Sequence, residues 1–351
     1  MKRLISANTS EMLAMNAEEL KQSIKASEGR VILSENVATR ETYIGDITNA
    51  EIARAFGADL ILLNCVDVLN PDIYGLEHDR DNFVSELHRL VGRPIGVNLE
   101  PVDLEAEMLE DRLDIPKGRQ LNLDTVKRLE EVGFDFVCLT GNPGTGVTNE
   151  QIEKAIRLTK EHFSGLVIAG KMHGAGSDEP VADLTIAKQF IEAGADVILV
   201  PAVGTVPGFD MEELKAVVRE VHRCGGLVLS AIGTSQESSD EDTIKEIAIM
   251  NKICGVDIQH IGDAGYGGVA PVENLLAISK AVRGVRHTVS MMPVRSIDRK
   301  GYFNMEKKVI MLACAAGMST SLLVSKMQKA ATGRALMQKF LQWQQRRLRI
   351  M

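Results

Sequence analysis

Three groups of residues in this chain have the types and spacing to do chemistry. The first is Cys314, where the apolar run Val309-Ile310-Met311-Leu312-Ala313 gives way to a small-residue loop ahead of a helical pattern. Unpaired N–H groups and the dipole at a helix N-terminus favour negative charge, so such a place activates a thiolate and holds a phosphoryl group. The alternative is a small core thiol closing a strand. The second group ends other apolar runs: Lys171 and His173 follow Leu166-Val167-Ile168-Ala169, and Glu100 follows Ile95-Gly96-Val97-Asn98-Leu99. Lys171 can form a Schiff base if burial lowers its pKa, but neutralising a substrate phosphate or carboxylate suits it better. His173, two residues on, reads as a proton shuttle or a hydrogen-bonded loop histidine, and Glu100 as a general base. The third group is glycine-dense: Gly233-Thr234-Ser235, and Gly262-Asp263-Ala264-Gly265-Tyr266-Gly267-Gly268. Loops like these let backbone N–H groups converge on an anion, and are expected to bind phosphate through Gly233, Thr234, Ser235, Gly262, Asp263, Gly265, Gly267 and Gly268. Glu35, Asp67, Glu100 and Asp263 all fall at strand ends; together they suit Mg²⁺, with solvated rim acids as the default reading.

From about Glu306 to Lys329 the chain resembles the opening of the lactose/cellobiose-type enzyme IIB of the bacterial sugar phosphotransferase system. The cysteine, Gly317, the triplet Ser319-Thr320-Ser321 and Lys326-Met327 carry the resemblance. It implies that Cys314 is a nucleophile taking phosphate from a phosphohistidine on enzyme IIA. The backbone of Ala315, Ala316, Gly317, Met318, Ser319, Thr320 and Ser321 would be its cradle, with enzyme IIA or IIC as partner. Only about twenty residues follow Lys329, and one βα unit cannot cover both faces of its strand. The expectation is a truncated fragment.

The elements that must position the other two groups are written in a repeat. Gly57-Ala58-Asp59, Gly133-Phe134-Asp135, Gly194-Ala195-Asp196 and Gly255-Val256-Asp257 each end a helix-like segment and precede an apolar run. The glycine suits a helix end needing φ > 0, and the aspartate can satisfy backbone donors at the turn into the strand. Four further apolar runs lie between them, at 31–33, 95–99, 166–169 and 227–229, giving eight strands alternating with helical patterns. Thr48-xx-Glu51, Thr148-xx-Gln151 and Asp210-xx-Glu213 read as helix starts, and Asn16-xx-Glu19 opens a helix that caps the barrel's bottom. The pattern predicts an α/β fold, a (β/α)8 TIM barrel, over 1–290, a linker over 291–305, and the enzyme IIB-like fragment over 306–351. Long loops at 66–81 and 100–122 then lie at the C-terminal face; residues 105–112 read as a solvated helix or a lid.

Composition narrows the function. A formal net charge of −8 argues against a nucleic-acid surface. No apolar stretch is long enough to span a bilayer and no signal sequence opens the chain, so the expectation is a cytoplasmic protein. Five widely spaced cysteines without a CxxC pair predict reduced thiols. The expected activity is lyase or isomerase chemistry on a small phosphorylated metabolite, with Mg²⁺ as the one cofactor the residues suggest. The rival is a phosphotransferase-system accessory in which Cys314 accepts phosphate while the barrel senses a metabolite. A homo-oligomer is compatible with either.

Overall fold

Each of the four Gly-x-Asp segments folds the same way. The glycines all have positive φ (Gly57 122°, Gly133 82°, Gly194 115°, Gly255 96°). Each aspartate then exchanges two hydrogen bonds with the strand before it. Asp59 N–H donates to Ile32 O (2.8 Å) while its carboxylate accepts Ile32 N–H (3.0 Å). The same pairing joins Asp135 to Ile95, Asp196 to Val167 and Asp257 to Val228. These clasps fix the register of neighbouring strands at their N-terminal ends.

A computed structural model describes residues 2–293, apart from 78, 110 and 178. Cys314 and the loop Ala315–Ser321 lie outside the described residues. The strands are β1 (Val31–Val37), β2 (Leu60–Asn64), β3 (Ile95–Leu99), β4 (Phe136–Leu139), β5 (Leu166–Gly170), β6 (Val197–Pro201), β7 (Leu227–Ile232) and β8 (Ile258–Ile261). They pair in parallel in chain order, and β8 returns to β1 with Val31 opposite Ile258, closing the barrel. Helices follow the strands outside. The expected starts form as capping boxes at Asn16, Thr48 and Asp210, while Thr148 accepts the N–H of Gln151. This unit extends to Arg295.

Alternation along the strands sorts the core into two. Ile61, Leu63, Val97, Val137 and Val167 pack outward against the helices. Val31, Leu33, Leu60, Leu62, Phe136 and Cys138 fill the interior, where Leu4, Met12, Leu20 and Ile24 from the N-terminal segment join them. Gly96 makes room for a large neighbour: a Cβ there would sit 2.2 Å from the Phe136 ring. Moving up the barrel, the interior positions change type. Glu35 follows Leu33, Asn64 follows Leu62, Thr140 follows Cys138 and His260 follows Ile258, so an apolar plug is topped by a polar floor. No described helix is long and apolar enough to cross a membrane.

Candidate active site at the barrel mouth

Above that floor lies a cavity of about 320 Å³, bounded by the ends of β1, β2, β3 and β4 and by the loops after β5, β7 and β8. Asn64 is the hub of its floor. Its Nδ2 donates to Asn142 Oδ1 (2.9 Å) and Asp263 Oδ2 (3.0 Å), and its Oδ1 accepts from Asn142 Nδ2 (3.0 Å) and Asn98 Nδ2 (3.3 Å). The three asparagines are thereby held in fixed orientations.

Glu35 is buried in the floor and bonded to His260 Nε2 (2.9 Å). Burial raises its pKa above the ordinary 4.5; the His260 contact opposes this, while Asp263 and Glu237 push the same way. His260 thus supports Glu35 from within β8. Glu237 stands in the 3₁₀ turn Gln236–Ser238 after β7 and also lines the cavity. Its pKa is raised as well, first by burial and then by Asp263, against backbone N–H bonds, one of them from Gly265. One of its oxygens, Oε2, has no partner. His173 lines the cavity too, and its pKa is lowered by burial and by the charge of Lys171. Its Nδ1 accepts the N–H of Ala175 (3.0 Å), so the neutral ring carries its proton on Nε2.

The residues expected from sequence divide here. His173, Gly233, Thr234, Ser235, Gly262, Asp263 and Gly265 line the cavity; Gly267 and Gly268 belong to the turn behind it, where Gly268 O accepts the N–H of Val37. The anion that the N–H of Gly265 meets is the protein's own Glu237. Lys171 does not reach the cavity, contrary to its expected role. The strand ends at Gly170, and the next residue turns outward, so the buried Nζ donates to Glu179 (2.8 Å) and Ser177 (3.0 Å). Its pKa is lowered by burial, with Glu179 opposing. Glu100, expected as a general base, has both carboxylate oxygens engaged: it pairs with Arg119 (2.7 Å) and accepts Asn142 N–H (2.8 Å) and Nδ2 (2.9 Å).

The expected carboxylate ring does not assemble. Asp67 turns to cap its own loop, accepting the N–H groups of Leu69 and Asn70, and no group of three His, Cys, Asp or Glu suited to a metal occurs among the described residues. Nor is the stretch after Glu100 helical. Met108 bridges Ser177, and Leu109 N–H donates to Gly176 O (2.9 Å), so this loop straps onto the loop after β5. The residue that sequence reading missed is Glu237. Its signal was an acid two residues beyond the glycine loop of β7.

Fold and mouth together define a (β/α)8 barrel with a desolvated, acid-rich pocket at its C-terminal end. Over residues 5–299 the chain matches the family described as Domain of unknown function (DUF7916), and it belongs to that family. Residues 309–339 match the lactose/cellobiose-specific IIB subunit of the phosphotransferase system. Over 27 residues the chain is 89% identical to the galactose-specific EIIB component of Lactococcus lactis subsp. cremoris (strain MG1363) and to the cellobiose-specific EIIB component of Lactococcus lactis subsp. lactis (strain IL1403). That match takes in 8% of this chain and spans only 25% of either relative. Similar solved structures include an archaeal fructose 1,6-bisphosphate aldolase (15% identity, TM-score 0.44, 74% of this chain and 96% of that one). Thiamine phosphate pyrophosphorylase from Pyrococcus furiosus is another (14% identity, TM-score 0.40, 74% and 100%).

Proposed function

We propose that the barrel is a cytoplasmic enzyme that moves a proton next to a carbonyl group of a small metabolite, in isomerase- or lyase-type chemistry. The observation that supports it is the Glu237 carboxylate, desolvated, in one cavity with a neutral His173. A carboxylate with a raised pKa is a stronger base, and a neutral imidazole N–H can stabilise a developing oxyanion. Glu237 takes the proton from the carbon beside the carbonyl, the electron pair moves onto oxygen, and His173 Nε2–H hydrogen-bonds that oxygen. Returning the proton to the neighbouring carbon isomerises the substrate. For carbon–carbon cleavage the same base takes a hydroxyl proton as the bond breaks toward the carbonyl.

The test is solvent exchange. The full chain is incubated in D₂O with hydroxyaldehydes, hydroxyketones and their phosphate esters, and loss of the α-proton signal is followed by NMR. Glu237→Gln lowers exchange by about 10²–10⁴-fold. Because Glu237 must be ionised, the wild-type rate rises with pH through a value above 4.5, and that limb is absent from the variant. No exchange across the panel would end this reading.

A second reading rests on the enzyme IIB match: Cys314 accepts a phosphoryl group from enzyme IIA. After incubation with phosphoenolpyruvate, enzyme I, the histidine phosphocarrier and a matching IIA, mass spectrometry shows a phosphate adduct that Cys314→Ser removes. No adduct would eliminate transfer by this chain.

A further inference from the structure

The reaction proposed for the mouth puts negative charge on a substrate oxygen, and the described lining has no Lys or Arg to meet it. Beside the carboxylates Glu35, Glu237 and Asp263 a bare oxyanion is repelled at low dielectric, so the oxygen needs a proton as well as a hydrogen bond. Asp263 is engaged at both oxygens, Oδ2 by Asn64 Nδ2 (3.0 Å) and Oδ1 by Tyr266 N–H (2.9 Å). Glu35 differs. Its Oε2 is bonded to His260 Nε2 (2.9 Å), whereas its Oε1 has no partner among the described residues and is not one of their sealed side-chain atoms. Every residue of β1 is buried, so the 4% of Glu35 that stays exposed opens on the cavity it lines.

His260 decides which oxygen of Glu35 carries the proton. Its Nδ1 is sealed without a partner, and a buried N–H left unmet there is costlier than an unmet lone pair. The ring therefore carries its proton on Nε2 and donates to Oε2, which leaves the acid proton of Glu35 on Oε1, toward the cavity. Burial is the main cause favouring that acid form; His260 opposes it, and Asp263 and Glu237 add to it. Cys138 on β4 and Cys65 after β2 face the same charge. We infer that Glu35, positioned by His260, is the acid of the reaction, giving its Oε1 proton to the carbonyl oxygen as Glu237 takes one from the adjacent carbon. This rests on the proton-transfer reading of the mouth and narrows its isomerase substrate to α-hydroxycarbonyl compounds. The C–H pair becomes a C=C bond, the carbonyl pair takes the Glu35 proton, and an enediol stands between ionised Glu35 and protonated Glu237. Glu35 then takes the proton of the neighbouring hydroxyl, the C=C pair takes the Glu237 proton at the former carbonyl carbon, and both residues regain their first state.

Conversion of the hydroxyaldehydes and hydroxyketones of the exchange panel into their isomers, followed across pH with the full chain, tests it. The acid must be protonated, so the wild-type rate falls as pH rises through the folded value of Glu35, which lies above 4.5. Glu35→Gln keeps an acceptor for His260 Nε2–H but has no proton to transfer: conversion drops by about 10²–10⁴-fold and the falling limb disappears. Its thermal unfolding matches wild type near pH 4, where Glu35 is protonated, so the loss is not one of fold. A merely structural Glu35 would leave the limb in place. Undiminished conversion by Glu35→Gln, or a falling limb that survives in it, overturns the inference and leaves Glu237-dependent exchange standing. Where Glu35→Gln does not fold, Glu35→Asp decides: it keeps the limb at a lower rate, and a full rate from that shorter acid overturns the inference. No exchange by wild type removes the reaction and the role of Glu35 together.

Discussion

The two ends of this barrel treat carboxylates in opposite ways. At the N-terminal end, Asp59, Asp135, Asp196 and Asp257 each accept a strand N–H and each meet a basic side chain, that of Arg283, His88, Lys160 and His222 respectively. Each of those side chains comes from the helix that precedes an odd-numbered strand around the closed barrel, so the arrangement repeats four times. At the C-terminal end, Glu35, Glu237 and Asp263 share a cavity with no Lys or Arg in its described lining. Backbone strain follows the same division. Six of the seven described non-glycine residues with positive φ, namely Cys65, Ala175, Thr234, Ser235, Ala264 and Tyr266, lie in loops at the mouth. Such conformations cost about 1–3 kcal/mol each and persist where the surroundings over-determine them. One end holds the strands together; the other gives up stability to present charge.

The contrast can be broken most sharply at Asp59, whose partner Arg283 is as fully buried as it is. Asp59→Ala strands the guanidinium and the Ile32 N–H, and should cost about 3–5 kcal/mol in urea unfolding. A loss under 1 kcal/mol, well below the usual range for breaking a buried pair, would show that the clasp is not structural. Lys171 sharpens the boundary between the ends, because it stands near the mouth yet is tied to Glu179. Lys171→Met should cost about 1–3 kcal/mol without abolishing turnover, whereas complete loss of turnover with stability intact would return it to the chemistry.

The smallest effect is expected at His222. Its hydrogen bond to Asp257 raises its pKa above 6.5, so the pair's contribution is fully present below 6.5 and is lost as pH rises through the raised value. This partly exposed pair is worth under about 1 kcal/mol. His222→Gln should flatten stability across that window, and an unchanged pH profile would remove the histidine from the ring.

The stabilising end was legible in the sequence because its geometry is local. Gly-x-Asp encodes a helix stop and a clasp within three residues, and it recurs at four places. The floor was legible in part: Asn64, Asn98, Thr140 and Asn142 stand at strand ends, where inward positions follow from alternation. The wall was not. Lys171 and His173 obey no strand parity once β5 ends at Gly170, and Glu100 looks like a free base until Arg119, nineteen residues on, is seen to hold it. Glu237 depends on how the loop after β7 folds against Gly265 of the next loop, a contact between segments that no spacing reveals.

The central claim is that acids at the two ends contribute to stability with opposite sign, and paired unfolding of Asp59→Asn and Glu237→Gln against pH tests it directly. Burial raises the pKa of Glu237, so wild type is stabilised below 4.5 and loses that contribution as pH rises through the folded value. The account predicts that Glu237→Gln matches wild type near pH 4 and exceeds it at pH 8, while Asp59→Asn is less stable at pH 7. A Glu237→Gln protein destabilised at pH 8 as much as Asp59→Asn would contradict it.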